Sequence, residues 1–219
     1  MVLTTKQELL QGMAKYNTPE RKIEFLENEL KKIQNPELKK ECHILTAQLY
    51  EGKRWWSNAA KNYRIASDLA TLFPEKMSLF FKTAETNVKA EDYFTAEDSF
   101  RRALALATQR ERNDLEKKFF ALFLTIAKDH EDGKRINKAI SVYNKLLSLP
   151  GYPFNEAQKI RDKLIILLDK IGKPFEANQM RNQKNNYDAM SEQVKKDAAR
   201  KAEETRTAHR AEGFYELDF

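Results

Sequence analysis

The chain of 219 residues has few glycines and prolines, six of each, and its 33% charged content comes with abundant Ala, Leu, Lys, Glu, Gln and Arg, which points to an all-α class in one or two compact domains. Its single cysteine, Cys42, excludes an intrachain disulfide, and the longest apolar runs, near 119–126 and 164–168, are far too short to span a membrane. The net charge of +6 sits in the body of the chain, because residues from 184 onward carry seven basic and eight acidic side chains. That balance suits an acidic peptide or RNA partner as well as ordinary solubility. No apolar leader follows Met1, so a soluble, cytoplasmic protein is the expectation.

Punctuation along the chain predicts ten helices, at 5–16, 19–33, 36–52, 55–71, 74–90, 92–107, 111–131, 134–149, 154–171 and 173–210. Thr18-Pro19 and Asn35-Pro36 each place a capping side chain before a proline, and Phe73-Pro74-Glu75 reads as another helix start. Gly133, Gly151 and Gly172 follow apolar segments where a residue of positive φ commonly ends a helix. Residues 1–35 form a first helix pair, with Leu9, Leu10, Met13, Ile23, Leu26 and Leu30 as its apolar face and no small-residue signature. This pair is expected to cap the N-terminal end of the helices beyond residue 35.

From residue 36 a pattern recurs. Ala59, Ala96, Ala139 and Ala177 lie 37, 43 and 38 residues apart. Trp56, Tyr93, Ile136 and Pro174 precede them by three, and Tyr63, Phe100 and Tyr143 follow by four. Ala66, Ala103 and Leu146 follow by seven, while Ala47, Ala84 and Ala127 stand twelve before. Small residues let two helix backbones approach where they cross, and large ones fill the space beside the crossing. A unit of this length, repeated, predicts stacked helix pairs that offer a binding surface.

These positions resemble the tetratricopeptide repeat (TPR) family, best in Trp56–Ala59–Tyr63–Ala66 and Tyr93–Ala96–Phe100–Ala103. The resemblance covers roughly residues 36–183 and implies a right-handed superhelix of antiparallel hairpins. The longer repeats also look like those of soluble membrane-fusion (SNAP-like) adaptors. In the fourth copy Arg181 and Lys184 replace the aromatic and small residues, which suits a terminal, solvent-facing repeat. Residues 184–211 then form a charged helical extension with a thin stripe of Tyr187, Met190 and Val194, and residues 212–219 an aromatic-acidic tail.

The sequence offers little for catalysis. His43, His130 and His209 are scattered, the glycines stand alone, and Cys42-His43 point in different directions on a helix. No cofactor or metal is expected, and the protein is read as non-enzymatic. The TPR resemblance implies that first helices of successive pairs line a groove, which gives Lys82, Glu85, Lys89, Lys128 and Lys163 as candidate contacts for a peptide with acidic and aromatic side chains. Gln48, Leu45 and Glu85 replace the cations and asparagine with which the family clamps chaperone tails, so that ligand is not expected. In the tail, Phe214, Tyr215, Leu217 and Phe219 surround two carboxylates and read as a docking segment. Trp55, beside Lys53 and Arg54, is a further candidate contact and the main pointer to RNA. The expected function is a protein-binding adaptor or scaffold. The alternative is a structural component of a larger, RNA- or ribosome-associated assembly.

Overall fold

The computed structural model of the chain describes residues 4–212, apart from the side chains of 191, 195, 198, 199 and 202–212. Among the described residues there are ten helices and no strand. They are α1 (Lys6–Ala14), α2 (Pro19–Leu30), α3 (Pro36–Gly52), α4 (Trp56–Leu69), α5 (Phe73–Lys89), α6 (Tyr93–Leu106), α7 (Gln109–Asp132), α8 (Ile136–Ser148), α9 (Phe154–Lys170) and α10 (Pro174–Glu212). None is long and apolar enough to cross a membrane. The architecture is all-α, built of antiparallel helix hairpins with a long C-terminal helix.

Capping chemistry sets the early helix starts. Thr5 and Glu8 form a reciprocal capping box, Thr18 accepts from the Arg21 amide, and Asn35 accepts from the amides of Glu37 and Leu38. Pro19 and Pro36 occupy the first turns that those caps begin.

The hairpin turns repeat at the level of individual backbone bonds. Arg54, Glu91, Lys134 and Gly172 all have φ between 57° and 73°, and each lies five residues before its signature alanine. The following amides, of Trp55, Asp92, Arg135 and Lys173, donate to the carbonyls of Tyr50, Asn87, His130 and Leu168 at 2.8–3.0 Å. The amides of the four positive-φ residues donate to Glu51, Val88, Glu131 and Asp169. This is the two-bond Schellman closure. The next helix begins at once, with the alanine amide bonded to the carbonyl of the residue after the turn. Lys134, not Gly133 as expected, takes the positive φ.

The chain divides into two compact units, residues 1–129 and 130–219. In the first, α3 packs on α4, α4 on α5 and α5 on α6. Ala47, Ala59, Ala66, Ala84, Ala96 and Ala103 are fully buried, as crossing positions should be. Phe100 stacks on Phe119 at 4.0 Å between centroids, and Phe119 meets Phe123 edge-on at 5.2 Å. Burying Phe119 and Phe123 completely stabilises the unit by about 2–3 kcal/mol per side chain. At its N-terminal end Leu9, Leu26, Ile33, Leu38 and Cys42 make a separate cluster. The first helix pair does contain a close approach, at Gly12, where a Cβ would stand 2.3 Å from Phe25 Cζ.

In the second unit α8 packs on α9 and α9 on α10. Ala139, Tyr143, Leu146, Leu164 and Ala177 are buried at its centre. Alongside this core, the α9–α10 contact is polar. Arg181 pairs with Asp169, Lys184 with Asp162, and the Arg161 guanidinium lies 4.3 Å from the Tyr187 ring centroid. The residues that break the fourth repeat pattern therefore form ion pairs with the preceding helix.

Candidate functional site

Three of the groove candidates form one cluster on α5. Lys82 Nζ donates to Glu85 Oε2 at 3.0 Å, and Lys89 Nζ donates to Glu85 Oε1 at 2.9 Å. Spacings of three and four residues bring these side chains onto one helix face. Burial alone raises the Glu85 carboxyl pKa, but the hydrogen bonds from Lys89 and Lys82 outweigh it and hold the group below its ordinary range. Two ammonium groups around one carboxylate leave a single net positive charge. Lys89 also lies 5.1 Å from the centroid of the Trp56 ring.

Trp56 is partly buried, not fully inside the core as its place in the repeat suggests. It lines a surface depression of about 380 Å³ with Arg54, Trp55, Ser57, Asn58, Lys89, Ala90 and Glu91. The α3–α4 and α5–α6 turns place their positive-φ residues, Arg54 and Glu91, at this depression. Trp55 is 48% exposed, with its ring centroid 5.8 Å from that of Tyr50 and 4.6 Å from Lys53 Nζ. Lys53 is itself paired with Glu20. Arg54 enters the sequence reading only as a cation beside Trp55, and Glu91 not at all, although their constant offset from the repeat alanine is a signal that could find both.

The remaining candidates lie elsewhere. Lys128 is exposed on α7, in the first unit. Lys163, in the second, donates to Glu131 Oε1 at 2.7 Å and sits 5.1 Å from the Tyr143 centroid. Burial pushes the Lys163 pKa down, but its bonds to Glu131 and Tyr143 outweigh that and leave it raised. Glu131 also accepts from the Tyr143 hydroxyl, so this carboxylate is part of a packing network. Phe214, Tyr215, Leu217 and Phe219 lie outside the described residues.

A second depression, of about 370 Å³, is bordered by Glu27, Leu30, His43, Tyr50, Asn58, Lys61, Asn62 and Ile65. His43 Nδ1 and Asn62 Oδ1 are 2.8 Å apart, and the Tyr50 hydroxyl donates to Glu27 at 2.8 Å. The carboxylates of Glu37, Glu41 and Glu75 lie within 4.8 Å of one another, a spacing that would suit a cation. The ammonium of buried Lys40 already bonds to Glu37 and, at 2.7 Å, to Glu75, while Lys6 pairs with Glu41 at 2.7 Å. Burial pushes the Cys42 thiol up to about 12, with the Glu29 charge adding to the effect, and its Sγ contacts the Leu26 carbonyl at 3.5 Å. A thiol held protonated in this way is a poor nucleophile.

No family model matches the chain, and no curated protein does. Among solved structures, BtubC (BKLC) from P. vanneervenii is similar at 14% identity and a TM-score of 0.36, over 80% of this chain and 74% of that one. A crystal structure of nearly identical TPR-like repeats from Podosopora anserina is similar at 11% identity and a TM-score of 0.38, over 85% of this chain and 94% of that one.

Proposed function

We propose that this chain is a non-enzymatic interaction scaffold that holds a protein or peptide segment bearing acidic and aromatic side chains. The observation that carries this reading is the Lys82–Glu85–Lys89 cluster with Lys89 laid over Trp56. An incoming carboxylate can replace Glu85 as the partner of either ammonium group, and an aromatic side chain can stack on a tryptophan beside it. Lys128, Lys163 and the tail residues Phe214, Tyr215, Leu217 and Phe219 are proposed as further contacts of the same kind. A cytoplasmic setting belongs to this reading, and a membrane-fusion adaptor role is a narrower form of it that rests on repeat length alone.

Peptide arrays probed with the full chain test the proposal. Acidic-aromatic peptides should bind, and the double variant Lys82→Glu/Lys89→Glu should weaken them by about tenfold or more, with a smaller dependence on salt. Unchanged binding by that variant would overturn the assignment. Exposed Trp55, flanked by Lys53 and Arg54, supports a second reading as an RNA-associated assembly component. That reading requires RNA binding that falls steeply with salt and weakens in Trp55→Ala.

A further inference from the structure

We infer that the depression at the α3–α4 turn receives residues 214–219 from a second copy of this chain. The inference rests on the proposed peptide-binding character of this face and names its occupant. The depression is lined by two indole rings, by exposed Arg54 and by Lys89 and Glu91. Lys89 lies over Trp56 while paired with Glu85, and Lys53, paired with Glu20, lies over Trp55 from beside the depression. Such a surface takes aromatic and carboxylate groups together. The segment Phe214-Tyr215-Glu216-Leu217-Asp218-Phe219 supplies both and contains no basic residue. If it is extended, alternate side chains face opposite ways, which puts Tyr215, Leu217 and Phe219 on one side and Glu216 and Asp218 on the other. The apolar row meets the tryptophans, and the carboxylates are left to Arg54 and the two lysines. A volume of about 380 Å³ lies at the small end of ligand pockets and suits one or two side chains of such a segment.

In the second unit the segment follows the long helix α10. Gln158 on α9 donates to Asp188 on α10, and α10 continues from there to Glu212. At about 1.5 Å per residue that stretch of helix is roughly 36 Å long. Pairing of a tail on one copy with a depression on the next is a head-to-tail contact, which joins copies into a chain or closed ring.

Mixing two full-length variants tests this directly. The tail variant Tyr215→Ser/Leu217→Ser/Phe219→Ser keeps the depression, whereas Arg54→Glu/Trp55→Ser keeps the tail. Sedimentation should show concentration-dependent association of the original chain, monomers for each variant alone, and a one-to-one complex when the variants are mixed. Because both tryptophans of the chain lie at this depression, emission from the tail variant should shift on adding its counterpart. A monomeric original chain whose emission is insensitive to the tail substitutions overturns the inference. A monomeric chain whose emission does respond to them overturns the assignment to a second copy. Lys82→Glu, which alters the α5 cluster but does not line the depression, should leave association intact. Loss of acidic-peptide binding in that variant, with self-association retained, would count for the peptide site on α5 and separate it from the tail contact.

Discussion

The hydroxyl of Tyr63 donates to Glu51 Oε2 at 2.6 Å, joining two residues twelve apart across the α3–α4 hairpin. The same offset joins Tyr143 to Glu131 and, as an ion pair, Arg181 to Asp169. In the remaining repeat the equivalent residues are Phe100 and Val88, both buried. Each hairpin therefore fills this pair of positions as a unit, either with two complementary polar groups or with two apolar ones. A lone polar member would leave a partly buried group without its partner.

This relationship predicts strong coupling. Tyr63→Phe should cost about 1–2 kcal/mol, because Glu51 loses its donor. The double variant Tyr63→Phe/Glu51→Val, which copies the Phe100–Val88 solution, should be more stable than the sum of the two single changes by about 1 kcal/mol. Urea denaturation of the four proteins measures the coupling, and strict additivity would refute it.

The turns make a second prediction. Lys134 holds a positive φ without the freedom of glycine, whereas Gly172 occupies the equivalent position in the next hairpin. Lys134→Gly should stabilise the protein by up to about 1 kcal/mol, and Gly172→Ala should destabilise it by a similar amount. Thermal melts of the two variants should move in opposite directions. A shared direction would show that contacts of the substituted side chains outweigh backbone strain.

Much of the helical plan is legible in the sequence because the cues are local. Thr18-Pro19 and Asn35-Pro36 carry their own capping chemistry, and the buried alanines recur at offsets that a single sequence displays. What escapes the sequence depends on which neighbour each residue meets. Trp56 has the repeat position of a core aromatic, yet it borders an open depression. Gly133 has the composition of a left-handed helix end, but the closing bonds place that conformation one residue later, at Lys134. The lysine spacing on α5 is readable, whereas its neutralisation by Glu85 on both sides depends on rotamers that no periodicity encodes.

Lys40 supplies a third prediction. Its side chain is almost wholly buried, and it links α3 to α5 through Glu75. Lys40→Ala should cost about 2 kcal/mol, less than the usual cost of breaking a buried pair because Glu37 and Glu75 retain contact with water. Lys40→Met/Glu75→Leu should recover most of that loss, since an apolar pair needs no compensating charge. Denaturant midpoints decide the matter, and a double variant less stable than Lys40→Ala would contradict it.

His43 gives the protein an acid-side sensitivity. Burial pushes its pKa below the usual 6.5, the Asn62 contact opposes that shift, and the charge of Lys39 adds to it. The unfolded chain therefore takes up this proton at a higher pH than the folded one. A folded pKa below the unfolded one makes a contribution to stability that is present above pH 6.5 and lost as pH falls through the folded value. In His43→Gln, which keeps a polar side chain beside Asn62 but cannot titrate, the fall in urea midpoint between pH 6.5 and about 5 should be shallower than in the original chain. Taking the difference between the two proteins at each pH removes the background from groups common to both. A difference that stays constant across that interval would mean that His43 does not report pH in the folded protein.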